Sequence, residues 1–344
     1  MNIREVARLA QVSTATVSRT INGSDKVTPE TKERVQRAIE ELKFYPNTWA
    51  RALGSGRSHL YGLIISDITN PFFPELVKSF EDMAVQFGQE VLVANTNYEP
   101  ARIEVCVSRM LQRKVDGVAV MTSEVDEHLI SEFQNRDIPL VFLDTGTAQG
   151  LTSNILVDYA VGVDAAVEHI ASLGHREIAF IAGPSQLRSA RIRRDAFVRS
   201  LERNGIRGGL MEEGNHQVGG GHEAMERLLR GRVRPTAVLA SNDMTAIGAL
   251  GAIHEKGLRV PDDISIVGFD DIQISAFTMP ALTTVRLSRD EIARVAFRAL
   301  YSIRQDGSKG AEYTVRPSLV VRRSTGLAPD RSTRRAPRSR KAAS

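Results

Sequence analysis

The sequence contains one cysteine, one tryptophan and no long hydrophobic run. Cys106 alone can form neither an internal disulfide nor a cysteine metal cluster, which agrees with a reducing compartment. No segment approaches the roughly 18 consecutive apolar residues of a membrane helix, and the N-terminus lacks the apolar segment of a signal peptide. We therefore expect a cytoplasmic protein.

Catalytic and metal-binding signatures are also missing. The sequence has no G-x-G-x-x-G after a predicted strand, no P-loop and no H-E-x-x-H, and its seven histidines are dispersed. The glycine run at 219–221 stands near a helix start, and without the rest of a phosphate-binding fingerprint it indicates only that start. The sequence therefore predicts a protein that is not an enzyme and that uses neither a metal nor a cofactor.

Charge is distributed unevenly along the 344 residues, although the net charge is only +4. Residues 1–60 carry 10 Lys and Arg against 6 Asp and Glu, and residues 322–344 carry 8 against 1. The segment between them carries 27 basic against 34 acidic residues. Basic ends on an acidic body predict that an end of the chain binds a polyanion such as nucleic acid.

The first 44 residues show three short helical patterns. Asn2 and Glu5 are spaced as a capping box, Ser13 is a second N-cap candidate, and Thr28 precedes a proline that starts a third helix. Two short helices joined by a tight turn, with a third that completes a small core, indicate a helix-turn-helix.

The exposed side of the predicted second helix carries small residues and ends in Arg19. Small side chains let a backbone approach the base edges of DNA, and an arginine can bind guanine through two hydrogen bonds. A solvated surface helix with ordinary polar residues would show the same pattern. The helix by itself therefore leaves both interpretations open.

Residues 46–58 have a short helical pattern that is followed by a basic linker rich in glycine and serine. Leu53 lies in this pattern and has no evident core to join. An apolar side chain between a DNA-binding head and a larger body is typical of a wedge that inserts between base steps in the minor groove.

These motifs resemble the head and hinge of the lactose repressor (LacI/GalR) family. The matching positions are Ile3, Glu5, Val6, Ala7, Val12, Ser13, Ala15, Thr16, Val17, Ser18, Arg19, Asn22, Val27, Thr31, Val35, Asn47, Ala50, Arg51 and Leu53. The DNA-binding residues that the resemblance implies are Ser13, Thr14, Ala15, Thr16, Ser18, Arg19, Asn22 and, as the minor-groove lever, Leu53. One departure is Gly54, which supplies no charge where many family members have Lys or Arg.

From residue 60 onward, short apolar runs alternate with amphipathic helical segments. Continuously apolar runs are typical of parallel strands that are buried on both faces. Strands are predicted at 62–66, 91–94, 117–121, 140–143, 155–157, 178–181, 237–240 and 264–267, with helices between them such as 73–87 and 158–173. The pattern predicts doubly wound sheets, and 158–162 is the natural place to divide them into two similar halves.

Polar residues follow several predicted strands, and facing α/β sheets bind ligands outside the carboxyl ends of their strands. This region resembles the effector domain of the same family, which is similar to periplasmic sugar-binding proteins. The matching segments lie at 67–73, 115–118, 173–176, 241–243, 268–271 and 280–284.

The resemblance implies an effector pocket with Phe72 and Phe73 as aromatic platforms and Arg193 as a charged clamp. Its polar anchors are Asp144, Asn242 and Asp270. Asp67, after the first strand, and His216, where family members often carry an aromatic residue, complete the predicted ligand-binding set. Carboxylate, amide and guanidinium groups suit paired hydroxyls, and aromatic rings cover the C–H faces of a sugar.

Arginine is unusually dense beside the predicted clamp, at Arg188, Arg191 and Arg194. The solvated side of a helix start accounts for this density. An anionic effector, such as a sugar acid or a sugar phosphate, accounts for it as well, because arginine matches carboxylate and phosphate geometry.

The sequence thus predicts four parts. An N-terminal all-α helix-turn-helix head (1–46) is followed by a hinge helix and linker (47–59). An α/β body like periplasmic binding proteins, with two doubly wound parallel-sheet subdomains (60–327), precedes a disordered basic tail (328–344). The tail is either a solubilising extension or a weak, sequence-independent DNA contact.

The predicted function is that of a repressor at the nucleoid, a homodimer on palindromic operator DNA that a sugar or sugar derivative releases. One alternative is a regulator whose DNA binding a nucleobase corepressor strengthens. Another is a sugar-binding protein without a regulatory role.

Overall fold

A computed structural model describes residues 2–21, 24–44, 57–122 and 127–330. Asn22, residues 47–56 of the predicted hinge and linker, which include Leu53, and the chain beyond residue 330 lie outside the described residues.

Three short helices form the head: α1 (Ile3–Leu9), α2 (Thr14–Ile21) and α3 (Pro29–Glu41). Each contributes one fully buried valine to a shared core, namely Val6, Val17 and Val35. The predicted helix-turn-helix is present.

Side-chain caps fix where these helices begin. The Asn2 side chain accepts hydrogen bonds from the backbone of Arg4 and Glu5, and the Glu5 carboxylate accepts one from the Asn2 backbone at 2.9 Å. Thr28 caps α3 by accepting from the Thr31 backbone. Such caps satisfy backbone N–H groups that have no partner inside a helix, so local sequence sets the head's geometry.

The body contains two sheets. Its strands are β1 (Leu60–Ile65), β2 (Glu90–Asn95), β3 (Gly117–Met121), β4 (Leu140–Leu143), β5 (Thr152–Val157), β6 (Ile178–Ala182), β7 (Leu210–Glu213), β8 (Ala237–Ala240), β9 (Ser265–Asp270), β10 (Thr283–Arg286), β11 (Glu312–Val315) and β12 (Ser318–Val320). Their orders are β11-β5-β4-β3-β1-β2 and β12-β10-β9-β8-β6-β7. All neighbours are parallel except β10 and β12.

Helices cover both faces of each sheet. They are α4 (Phe72–Gln86), α5 (Pro100–Gln112), α6 (Glu127–Gln134), α7 (Tyr159–Ser172), α8 (Arg188–Arg203), α9 (Val218–Arg230), α10 (Asp243–Glu255) and α11 (Arg289–Asp306), with a 3₁₀ helix at Gln273–Ala276. In β1, Leu63 packs toward the core of α4 and α11, and the next residue, Ile64, packs toward α5. Cores on both faces explain why these strands are continuously apolar, and the predicted fold class is confirmed.

The chain crosses between the two sheets three times. It leaves the first sheet after β5, returns from β10 through α11 to β11, and crosses back to β12. The first crossing follows Val157, next to the division expected at 158–162. The two later crossings had no sequence signal, because β10, β11 and β12 are short and contain polar or charged residues, so none of them forms a continuously apolar run.

Among the described residues, no helix is both long and apolar enough to cross a membrane.

Glycines allow α9 and α10 to pack closely in the second subdomain. A Cβ atom on Gly248 of α10 would lie 1.9 Å from the backbone oxygen of Val218, and one on Gly221 of α9 would lie 2.2 Å from that of Thr245. The two backbones are therefore in direct contact at these positions.

We expect Gly248→Ala to destabilise the protein by about 1 to 3 kcal/mol, because the methyl group forces the two helices apart. Gly251→Ala in the same helix is the control: its Cβ has no heavy atom closer than 3.6 Å, and alanine should stabilise the helix by about 0.5 to 1 kcal/mol. Urea unfolding of both variants measures this difference, and equal effects would contradict the close helix contact.

Candidate functional site

A cavity lies between the two subdomains, at the carboxyl ends of their parallel strands. This is the position where open α/β sheets hold ligands. Seven of the eight predicted ligand-binding residues line it: Phe72, Phe73, Asp144, Arg193, His216, Asn242 and Asp270. The fold thus brings together side chains that are up to about two hundred positions apart in the sequence.

Asp67 does not line this cavity. Its Oδ1 accepts hydrogen bonds from the backbone nitrogen of Thr69 at 2.8 Å and from the Thr69 hydroxyl at 2.7 Å. The residue shapes the turn after β1, as Asp often does, and the structure gives it no contact with the cavity. We correct the expectation on this point.

Arg193 brings a buried positive charge to the cavity. Its guanidinium donates to the Ser241 backbone oxygen at 2.6 Å and to the Ser189 hydroxyl at 3.3 Å. The same group lies between two aromatic rings, 5.1 Å from the centroids of both Tyr159 and Phe269. Among the described residues no carboxylate is close enough to form an ion pair with it. A ligand acceptor can therefore use the remaining guanidinium donors.

The two cavity carboxyls differ in their surroundings. Asp144 accepts hydrogen bonds from the Val157 backbone at 2.8 Å and from the Tyr159 hydroxyl at 2.6 Å. Burial raises the pKa of Asp144, while these two hydrogen bonds and the charges of Arg193 and Arg188 oppose the rise. Asp144 is thus positioned largely by the protein's own donors.

Asp270 has no hydrogen bond to its carboxyl from any described residue. Burial raises the pKa of Asp270 to about 8, and the charge of Arg193 opposes that rise. This raised pKa favours the protonated carboxyl at neutral pH, a form that can donate as well as accept a hydrogen bond. Its backbone lies at φ 113°, in a region that side chains rarely adopt.

His216 contributes a neutral imidazole. Burial, and then the charge of Arg193, lowers the pKa of His216 to about 3. Its Nε2 is buried without a hydrogen-bond partner in the described structure. This atom lies against Gly183, where a Cβ would be only 1.9 Å away, so the ring position requires a glycine. The backbone oxygen of His216 accepts from the Asn242 side chain at 3.0 Å.

Aromatic and aliphatic side chains form the apolar part of the cavity. Phe72 and Phe73 begin α4 and contact each other edge to face, with ring centroids 5.3 Å apart.

Sequence reasoning missed several residues that line the cavity, including Tyr98, Thr122, Tyr159, Leu187, Ser189 and Leu287. Most lie in loops or first helical turns, and no periodic pattern marks such residues.

The arginines beside the clamp separate into two groups. Arg191 is exposed and donates to the backbone oxygens of Ser185 and Gln186, and Arg194 pairs with Asp195. These two fit the interpretation of a solvated helix start. Arg188 is also exposed, but it lies between Leu187 and Ser189, which both line the cavity.

On the head, α2 presents the predicted DNA-contacting residues. Thr14, Ala15 and Arg19 are exposed, and Arg19 has no side-chain partner among the described residues. Ser13 has a structural task as well, because its hydroxyl accepts from the Thr16 backbone at 3.1 Å and caps the helix. Arg19 is therefore the charged group on this surface that is available to an external partner.

Within the described residues, no group of three or more His, Cys, Asp or Glu side chains is arranged to hold a metal ion.

Comparisons with known proteins match both parts of the chain. Residues 2–47 match the family described as bacterial regulatory proteins, lacI family, and residues 167–325 match a periplasmic binding protein-like domain. The transcriptional repressor PurR of Glaesserella parasuis is 34% identical over 320 residues, which are 92% of this chain and 94% of that protein.

Two further proteins extend the likeness. The ribose operon repressor of Escherichia coli K12 is 32% identical over 324 residues, 93% of this chain and 98% of that protein. The crystal structure of the lac repressor dimer bound to operator and the anti-inducer ONPF is similar, with a TM-score of 0.85 and 31% identity over 95% of this chain and 99% of that one. The chain belongs to the LacI family of bacterial regulatory proteins.

Proposed function

We propose that this protein is a transcriptional repressor, not an enzyme, that acts in the cytoplasm as a homodimer on palindromic operator DNA. A sugar or sugar derivative that binds in the cleft between the subdomains releases it from the operator. A two-fold symmetric dimer presents two recognition helices to two half-sites, which explains why the operator should be palindromic.

The side chains that line the cavity support the proposal of a sugar ligand. Its polar groups converge from both subdomains, and they combine the guanidinium of Arg193, the amide of Asn242 and two carboxyls with the rings of Phe72 and Phe73. Paired hydroxyls of a sugar match the planar polar groups, and its C–H face matches an aromatic ring. A cleft lined from both sides also responds to its ligand by closing.

A nucleobase corepressor is the second candidate. The protonated carboxyl of Asp270 and the neutral ring of His216 both supply uncharged donors, which suit the ring nitrogens and carbonyl groups of a base. The relative named transcriptional repressor PurR agrees with this possibility without deciding it. The two candidates differ in the sign of regulation, since a corepressor strengthens operator binding.

A thermal-shift panel of D-ribose, D-gluconate, D-ribose 5-phosphate and guanine separates these candidates. A ligand at 100 times its dissociation constant stabilises the folded protein by about 2.7 kcal/mol. We expect stabilisation by a carbohydrate of the panel. A shift with guanine alone would favour the corepressor, and selective stabilisation by gluconate or the phosphate would favour an anionic effector, for which the exposed Arg188 and the buried Arg193 are the candidate partners.

Arg193→Lys should lower the affinity for the stabilising compound about 10- to 100-fold, because lysine keeps the charge but loses the planar group between the rings. Arg199→Lys is the matched control, since Arg199 is exposed on the same helix and should bind the compound as the unchanged protein does. Calorimetric titration measures both affinities, and equal values would exclude Arg193 from the binding site.

Arg19→Ala should weaken operator binding by about 1 to 3 kcal/mol and relax base preference in each half-site, because Arg19 is exposed on α2 and free for a base contact. The operator is obtained by selection from a random duplex pool, and affinities are measured by fluorescence anisotropy. The control Arg37→Ala on α3 should change the affinities for operator and for random DNA by the same factor. An equal loss on both duplexes for Arg19→Ala would identify a phosphate contact instead.

The protonated state of Asp270 predicts a pH dependence of stability. Its folded pKa of about 8 lies above the unfolded value of about 3.9, so the folded protein alone holds this proton between those values. The unfolding free energy should therefore fall as the pH rises through this window, by up to about 1.4 kcal/mol per pH unit. Urea unfolding from pH 5 to 8 should show a smaller fall in Asp270→Asn. Parallel pH profiles would mean that Asp270 is ionised in the folded protein.

A further inference from the structure

One helix, α11, connects the cavity with the segment that leads to the DNA-binding head. Its 18 residues span about 27 Å at 1.5 Å per residue. The helix belongs to the first subdomain, yet each of its ends makes polar contacts outside its own core. Arg289 and Asp116, whose side chains make these contacts, do not line the cavity themselves.

At its N-terminus, Arg289 holds the loop that carries a cavity residue of the opposite subdomain. Its guanidinium donates to the backbone oxygens of Asp270 at 2.6 Å and Asp271 at 2.8 Å. Both residues have left-handed backbone angles, with φ at 113° and 55°. Non-glycine residues rarely keep such angles unless their surroundings hold them, so Arg289 helps to position the carboxyl of Asp270.

Glu75 ties the same loop to α4 of the first subdomain. Its carboxylate pairs with Arg289 at 2.8 Å and accepts a hydrogen bond from the Gln273 backbone at 3.0 Å. A displacement of the loop when the cleft opens or closes therefore acts directly on the first turn of α11.

At its C-terminus, α11 contacts the residues that lead from the linker into β1. Arg57 binds the side chain of Gln305 and donates to the Arg304 backbone oxygen at 3.4 Å. The Arg304 guanidinium lies 3.5 Å from a carboxylate oxygen of Asp116. That carboxylate also accepts from the Ser58 backbone at 3.2 Å and from the His59 backbone at 2.7 Å.

The middle of the helix is fixed in an aromatic core. The Phe297 ring lies 5.2 Å from that of Tyr61 in β1, and 5.5 Å from both Phe80 in α4 and Phe87. Close-packed cores deform little and transmit strain, so a displacement at one end of α11 reaches the other instead of being absorbed along the helix.

We propose that α11 couples the state of the cleft to the linker of the head, with Arg289 and Asp116 as positioning residues at its two ends. Arg289 senses the cavity loop, and Asp116 determines where residues 57–59 leave the body. The proposal rests on the proposed function in one respect, namely that DNA binding by the head changes when the cleft opens or closes. Two sites biased by one rigid element acquire a coupling free energy, and the coupling is reciprocal.

Amide hydrogen exchange in the full-length protein, without ligand or DNA, tests the coupling. Arg289→Gln should raise the exchange rates of the Ser58 and His59 amides about five-fold or more, although the substitution lies at the far end of the helix. Exchange in β8 should stay unchanged, which excludes a general loss of stability. Arg203→Gln, which breaks the surface ion pair with Asp164, should leave the Ser58 and His59 amides unaffected.

The conservative variant Arg289→Lys keeps the charge beside Glu75 and loses the two-carbonyl contact, so it should give a smaller acceleration than Arg289→Gln. If Arg289→Gln fails to fold, the exchange rates of the Ser58 and His59 amides in Arg289→Lys test the coupling instead. Faster exchange confined to residues 270–273, with Ser58 and His59 at their original rates in the folded variants, would overturn the proposal. A failure of the sugar or operator hypothesis does not affect this outcome.

Operator affinity supplies an independent measurement. If Arg289 and Asp116 act through one helix, the variant with both Arg289→Gln and Asp116→Asn should lose clearly less affinity than the product of the two single losses. Losses that multiply would show that the two residues act independently and would contradict coupling through α11. The Arg289→Gln and Arg203→Gln pair serves as a control, and its losses should multiply.

Discussion

The charge of Arg193, buried in the cleft, determines the chemistry of the groups around it. A buried guanidinium without an ion pair is costly unless other groups replace its water. Here the Ser241 and Ser189 oxygens do so, together with the faces of the Tyr159 and Phe269 rings. Burial lowers the pKa of His216 and raises that of Asp270, and the Arg193 charge adds to the first shift and opposes the second. Protonation in the pocket thus depends on burial together with this one charge.

The topology explains how a ligand in this pocket can change the relative placement of the two subdomains. Its walls come from two sheets, and the chain crosses between them at three places. Hinges of this kind permit rotation of one subdomain against the other. The helix α11 directly follows one crossing, so its first residue meets the opposite subdomain while its last turn meets the approach to the head.

Sequence reasoning succeeded where one local rule sufficed. Asn2, Glu5 and Thr28 cap helices of the head as their spacing predicted, and the apolar runs are buried strands because helices cover both faces of each sheet. The edge strand β7 was missed, since it alternates half-buried and exposed residues and includes two glutamates. Such a strand depends on its neighbour for pairing and lacks the apolar signature of a central strand.

The candidate site was predicted in its residue types and less well in its geometry. Seven side chains reached the cavity because strand ends in two facing sheets converge, while Asp67 turned back to cap its own loop. Position in the sequence does not distinguish a carboxylate that faces a ligand from one that binds the backbone. Nor does it indicate that Arg289 reaches across to Asp270, because this contact depends on the relative placement of two subdomains.

The three crossings also restrict how this body can change over evolutionary time. Each subdomain is assembled from separated stretches of the chain, and β12 completes the second sheet after α11 and β11 have returned to the first. No single cut separates one subdomain from the other, because α11 and β11 of the first subdomain lie between β10 and β12 of the second. Exchange of the head against the body needs one junction and leaves both sheets intact, whereas exchange of one subdomain alone needs a junction at each of the three crossings.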